Sequence, residues 1–398
     1  MSCARARQGT PHLFSGLIAS GLAAAVLFSA EIVAVHLEHT TILSTAPELF
    51  PLKNQGLAFQ RVAAHAQNVL PLYGSSELTA VPVPERAQIF FRTAPTGFQV
   101  SPVGAGGMPP LIILQKFGAL GSALRGKKLA ISLSPNLTVH AAGRKAYEGN
   151  FSLMAASEMV FDTVLDFELK RQIASRMLEC SSIVEKSPLL EFALRRLASG
   201  RRLDRLIFCA LWPMGKVQNA VLELQDHFAA LAYIQHKIKP APRQDPEIID
   251  WSKLLVKASV LKPADEDRTN TSSNVAKQAV TGSRDRAFGT NLEAGAGWRD
   301  LELLLRTLAS VHARPLLLSM PYDGQFYDRT GVSRYARESY YKRLRALTQQ
   351  YHFPLVEFTD HDEDPAFLYL HKSHLTVKGW IYYNRALDDF FHGRVPRS

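Results

Sequence analysis

Residues 13–30 read LFSGLIASGLAAAVLFSA, a stretch without a single charge, and IVAV carries the apolar run past Glu31 to Val35. A helix rises about 1.5 Å per residue, so roughly twenty such residues cross the hydrocarbon core of a bilayer. This run constrains the chain most, because it separates a membrane-crossing helix from a domain that must fold beyond it. Arg5 and Arg7 precede it; Glu31, Glu38 and Glu48 follow, and the next Lys or Arg is Lys53. The positive-inside rule puts residues 1–12 in the cytoplasm and the remainder outside. Two alternatives stand beside an uncleaved anchor. A cleaved signal would use Ala34, with Ile32 before it, as a poor cutting site. A buried helix of a soluble domain would be amphipathic, which this run is not. The expectation is a single-pass protein of the plasma or inner membrane, with a signal anchor at 13–35 and a juxtamembrane linker at 36–70 that includes TAPELFPLKNQG.

The rest of the 398-residue chain is long enough to bury a sizeable core, since 46% of all residues are hydrophobic. The net charge of +10 is scattered and favours anionic lipid or an anionic polymer as neighbour. No nucleic-acid motif accompanies it. Of three cysteines, only Cys180 and Cys209 lie beyond the apolar run, and no zinc spacing exists, so two free thiols are the simpler reading.

Beyond Pro71 the pattern is mixed. RAQIFFRTA (86–94) reads as a strand or short helix, SPVGAGGMPP (101–110) as a loop, LIILQKFGALGSAL (111–124) as helix and KKLAISLSP (127–135) as strand. Residues 151–238 read as a largely helical insertion, with LIFCALWP (206–213) a short strand or a buried helical turn. Residues 239–297 form a polar surface excursion. From Trp298 onward helix and strand alternate: helix 298–313, strand 314–321, helix 333–352, strand 353–360, helix 378–393. Alternation of this kind predicts an α/β fold with a parallel sheet covered on both faces, and chemistry at the C-terminal strand ends.

Two short segments carry chemistry. GSSEL (74–78) follows the apolar NVLPLY. Gly74 allows a tight turn and close approach of a substrate. A serine nucleophile needs a base and oxyanion donors, yet a Gly-Ser-Ser turn before Glu-Leu equally suits a helix N-cap. Near the other end, LYLHKSHLTVKGW (368–380) places His371 and His374 three apart. A histidine is the usual base near neutral pH. A shared metal would need a third ligand, and none is near in sequence.

The order of these pieces resembles SGNH (GDSL-type) hydrolases and acyltransferases, and more specifically the D-alanine transfer protein DltD family. The matching residues are GSSEL at 74–78, GNFS at 149–152, MPYDGQFYDRTG at 320–331, YY at 340–341 and HKSHLTVKGW at 371–380, behind an N-terminal anchor. The resemblance implies an SGNH-like three-layer domain at 71–398, with Ser76 as nucleophile, Ser75 where GDSL enzymes carry Asp, and His374 as base. It implies Gly74, Ser75, Gly106, Gly107, Asn136 and Asn150 as candidate oxyanion or substrate-binding residues, and neither metal nor cofactor. The family's aspartate is His371 here. Three readings of that difference stand: a Ser76–His374 pair with His371 as neutral orienter; a carboxylate from Asp362, Glu363 or Asp364; or loss of acyl transfer with a binding role retained.

The resemblance further implies a membrane-bound O-acyltransferase as partner, an acyl carrier protein system acting indirectly, and a teichoic-acid-like or other envelope glycan as acceptor. The leading expectation is extracytoplasmic acyl transfer, D-alanyl in the family, through a serine ester. The alternatives are a non-catalytic accessory subunit of the O-acyltransferase and an esterase or thioesterase that edits acyl groups.

Overall fold

The structure is a computed structural model and describes residues 11–80, 83–136, 143–180, 187–261, 279–369 and 374–397, with backbone only for 11–13. The first helix, α1 (Pro11–Thr40), contains the apolar run. It is long and apolar enough to cross a membrane, and its residues 14–29 are exposed. Within 36–70, where the sequence suggests a linker, lie α2 (Ile42–Thr45), α3 (Pro51–Gln55) and α4 (Ala58–His65). The amphipathic α4 buries Phe59, Val62 and Ala63, which is why it folds onto the domain.

Five parallel strands form one sheet: β1 (Val69–Gly74), β2 (Gln99–Gly104), β3 (Lys128–Leu133), β4 (Arg314–Ser319) and β5 (Leu355–Glu357). Their order is β2-β1-β3-β4-β5. Side chains alternate faces along each strand. Tyr73, Val103, Ile131 and Leu317 join one core, and Leu70, Leu72, Ala130 and Leu316 join the other. The first core is covered by α6 (Pro110–Leu120), α8 (Leu153–Phe161) and, farther along the chain, α14 (Ala296–Ser310); the second is covered by α5 (Ala87–Phe90) and α17 (Val377–Phe391). The result is the expected α/β layering.

Several elements differ from the sequence reading. Residues 101–104, expected in a loop, form the end of β2. Pro102 is tolerated there because β2 is an edge strand. Between α6 and α8 lies α7 (Arg144–Asn150). The Gly- and Pro-free stretch 154–179 is not one helix: α8 ends at Phe161 and a second helix follows. Asp162 accepts from the Val164 N–H (2.6 Å) and Asp166 caps α9 (Phe167–Glu179) by accepting from Leu169 N–H (2.7 Å), so carboxylates stop the helix. After α10 (Pro188–Ser199), residues 206–213 are neither strand nor isolated turn: they belong to α11 (Arg202–Lys237), which runs through Pro213. The excursion contains α12 (Trp251–Ser259) and α13 (Asp285–Ala294). The C-terminal third adds α15 (Gly324–Arg329) and α16 (Arg334–Gln350). Cys180 and Cys209 are free thiols.

Candidate active site

The sheet reverses direction of winding at β1, which has β2 on one side and β3 on the other. Such a switch point leaves a crevice beyond the carboxyl ends of the strands. GSSEL sits there. After Gly74 the chain makes a 3-10 turn, Ser76–Leu78, closed by Thr79 N–H to Ser76 O (3.0 Å). Glu77 folds back under the turn and accepts the Ser75 N–H on Oε1 at 2.8 Å. Its carboxyl is buried, and burial pushes it up to about 7, tempered by the N–H groups of Ser75 and Glu77. Its Oε2 has no hydrogen-bond partner of good geometry and lies beside the Ser132 hydroxyl.

The glycine before the serines is required by contact. A Cβ on Gly74 would stand 2.2 Å from Glu77 Oε1. Gly104 is its register partner across β1 and β2, and a Cβ there would stand 2.8 Å from the Gly74 carbonyl oxygen. The two strands thus end on close backbone contact, and Ser76 is presented just past it.

His374 is positioned by a second compact device. Tyr369 N–H donates to the His374 carbonyl (2.7 Å), Leu368 and Leu375 form an antiparallel bridge, and Thr376 N–H donates to Phe367 O (3.1 Å). Thr376 Oγ1 then caps α17 by accepting from Gly379 N–H at 3.3 Å. Leu375 and Trp380 are buried, which anchors the segment on both sides of the cap. In this arrangement His374 Nε2 lies 3.0 Å from Ser76 Oγ, across 298 residues of sequence. A serine hydroxyl and an imidazole nitrogen at this distance have the geometry that a nucleophile and its base require.

His371 lies outside the described residues. The three carboxylates proposed as substitutes each have partners of their own. Asp362 accepts from the Tyr341 hydroxyl (2.7 Å) and the Tyr322 N–H (3.2 Å); burial pushes it up to about 7, opposed by Tyr341 and Arg337. Glu363 pairs with Arg337 (3.1 Å) and Asp364 with Lys378 (2.6 Å). Arg337 is fully buried and also binds Asp328 (2.7 Å) and the Val332 carbonyl (3.0 Å). Residues of 320–331, Arg337, Tyr341, Asp362 and Glu363 therefore form one polar network.

The remaining candidates divide. Ser75 is buried, with its N–H on Glu77 and its hydroxyl toward Ala105 O (3.4 Å). Gly106 and Asn150 are brought together: Asn150 Nδ2 donates to Gly106 O (3.3 Å) and Ala146 O (2.9 Å). Gly107 adopts φ +69°, which favours glycine. Asn136 is elsewhere, accepting from the Tyr327 hydroxyl. A cavity of about 370 Å³ is lined by Thr79, Gly104, Ala105, Gly106 and Asn150 together with Asn54 and its neighbours. It touches the GSSEL turn at Thr79. Asn54 holds its rim by donating to Gly104 O at 2.8 Å. Glu77 and Asn54 were missed by sequence reasoning; the signal for Glu77 was a carboxylate two residues past Ser75, where it can reach back to that residue's N–H.

Comparison with known proteins gives a consistent picture. The family model described as DltD protein matches residues 46–392. Protein DltD of Bacillus subtilis (strain 168) is 26% identical over 371 residues, covering 90% of this chain and 91% of that protein. Protein DltD of Staphylococcus aureus (strain NCTC 8325 / PS 47) is 24% identical over 352 residues, covering 85% of each.

Proposed function

The chain belongs to the DltD family, and from that premise we propose that it transfers an acyl group, D-alanyl as the family resemblance implies, to a cell-envelope polymer through an ester on Ser76. The observation that carries this reading is the 3.0 Å approach of His374 Nε2 to Ser76 Oγ. Ser76 Oγ attacks the acyl carbonyl carbon while its proton passes to His374 Nε2, which returns it to the leaving group. An acceptor hydroxyl then attacks the ester, gives its proton to His374, and Ser76 Oγ is released and reprotonated. The domain acts as an SGNH-like hydrolase fold turned to transfer. Gly106, with Asn150 behind it, supplies the loop against which the acyl oxygen is held, and the adjoining cavity takes the acyl group or the acceptor.

The apolar α1 is the anchor. Arg5 and Arg7 before it orient residues 1–12 to the cytoplasm and the α/β domain to the outside. The acyl unit is handed over by a membrane-bound O-acyltransferase fed by an acyl carrier protein, and the acceptor is a teichoic-acid-like or other envelope glycan.

The test is Ser76→Ala and His374→Gln in the full chain. Ester-linked acyl groups on the envelope polymer are expected to fall by about 10³-fold for either, and the pair to cost little more than one. A labelled acyl group should be recovered by mass spectrometry on the peptide containing Ser76. Undiminished acylation with Ser76→Ala overturns the proposal.

A further inference from the structure

Helix α11 has an outer face that is apolar where a water-facing helix is polar. Leu203, Leu206, Met214, Val217, Val221 and Phe228 are 68%, 67%, 59%, 66%, 51% and 38% exposed. Their spacing, in steps built from three and four residues, places them in one stripe along about 38 Å of helix. Contiguous exposed apolar surface of this size marks an interaction site.

The helix's charges are sorted about that stripe. Its three acidic residues lie off that stripe, each bonded to another element. Asp204 is bound by Arg196 (2.7 Å), Glu223 pairs with Arg61, and Asp226 accepts the N–H groups of Leu57 (2.7 Å) and Ala58 (2.8 Å). Arg201, Arg202 and Arg205 stay exposed around Leu203 and Leu206. Arg205 lies over the Phe167 ring at 4.0 Å, at the mouth of a cavity of about 540 Å³ that Phe208, Trp212 and Pro213 also line.

The same helix grips the anchor. His227 Nδ1 is 2.8 Å from Glu38 Oε1, both buried, at the end of α1 that leaves the apolar run. The Phe228 end of the stripe therefore lies one residue from the contact that joins α11 to α1.

We propose that α11 lies in the interface of the bilayer, its apolar stripe among the acyl chains and its arginines on anionic headgroups, so that the domain is held against the membrane at two places. This fits a helix with one apolar face, basic flanks and no acid on that face. The proposal rests on reading α1 as the anchor, and it commits to lipid rather than protein as the occupant.

The experiment uses the full chain with Cys3, Cys180 and Cys209 changed to Ser, reconstituted in phosphatidylglycerol/phosphatidylcholine vesicles. Nitroxide labels go on Leu206→Cys, Val217→Cys, Leu22→Cys in α1, and Tyr335→Cys on a remote exposed surface. Collision with oxygen and with a water-soluble nickel chelate is then measured. The expected result is loss of nickel accessibility and gain of oxygen accessibility at 206 and 217 relative to 335, weakened in pure phosphatidylcholine. If 206 and 217 behave like 335 while 22 is lipid-buried, the proposal fails and the anchor stands. If 22 is also open to nickel, both fail. If 206 and 217 become protected only when membrane proteins are added, the stripe is a protein interface and the proposal is overturned.

Discussion

Glu77→Gln tests whether the turn that presents Ser76 stands on a buried, uncharged acid. Burial raises the Glu77 carboxyl from 4.5 to about 7. A folded value above the unfolded one means the group stabilises the fold fully below about 4.5, and that this contribution is lost as pH rises through about 7. The full difference corresponds to about 3 kcal/mol, and about 2.5 kcal/mol of it falls between about pH 5 and about pH 8. Glu77 is 3% exposed, so solvent screening removes little of this. Glutamine keeps an oxygen for the Ser75 N–H and places an amide N–H beside the Ser132 hydroxyl. The variant should therefore gain on the parent by about 2.5 kcal/mol on going from about pH 5 to about pH 8. Urea unfolding of the full chain in detergent, followed by tryptophan fluorescence, measures this at each pH. Asp362, also pushed up to about 7, contributes equally to both proteins and cancels. A variant-minus-parent difference that stays constant within about 0.5 kcal/mol, or a variant less stable at the higher pH, refutes the reasoning.

Two further outcomes follow from contacts. Gly104→Ala drives a Cβ to 2.8 Å from the Gly74 carbonyl; it should cost about 1–3 kcal/mol and, by displacing Ser76, lower acyl transfer more than unfolding explains, read as activity per folded molecule. Arg176 meets Asp300 through two bonds (2.7 and 3.1 Å) and Asp300 is 3% exposed. Arg176→Ala should therefore lose about 3–5 kcal/mol in the same unfolding assay, because it leaves a buried carboxylate unpaired.

The alternation after Trp298 was legible because helical and strand periods differ locally, and it led to α14, β4, α16, β5 and α17. β2 was hidden by its Gly and Pro content, which an edge position permits. α11 was hidden by Pro213, whose missing hydrogen bond is outweighed by packing of neighbours such as Phe208 and Gly215. The short helices of 36–70 were hidden because their burial depends on partners far along the chain, such as Asp226 against Leu57 and Ala58.

By itself the sequence determined which segment can cross a membrane, the α/β class, and the two segments that carry a serine and a histidine. Each of these is a property of local period, composition or motif. Tertiary structure alone decided that β1 lies between β2 and β3, that Gly74 and Gly104 meet backbone to backbone, and that Asp362, Glu363 and Asp364 meet Tyr341, Arg337 and Lys378. It alone brought Ser76 and His374 to 3.0 Å. The physical reason is that strand order and the closing of α17 onto the sheet are set by burying two core faces at once, and no window of sequence contains both sides of that contact.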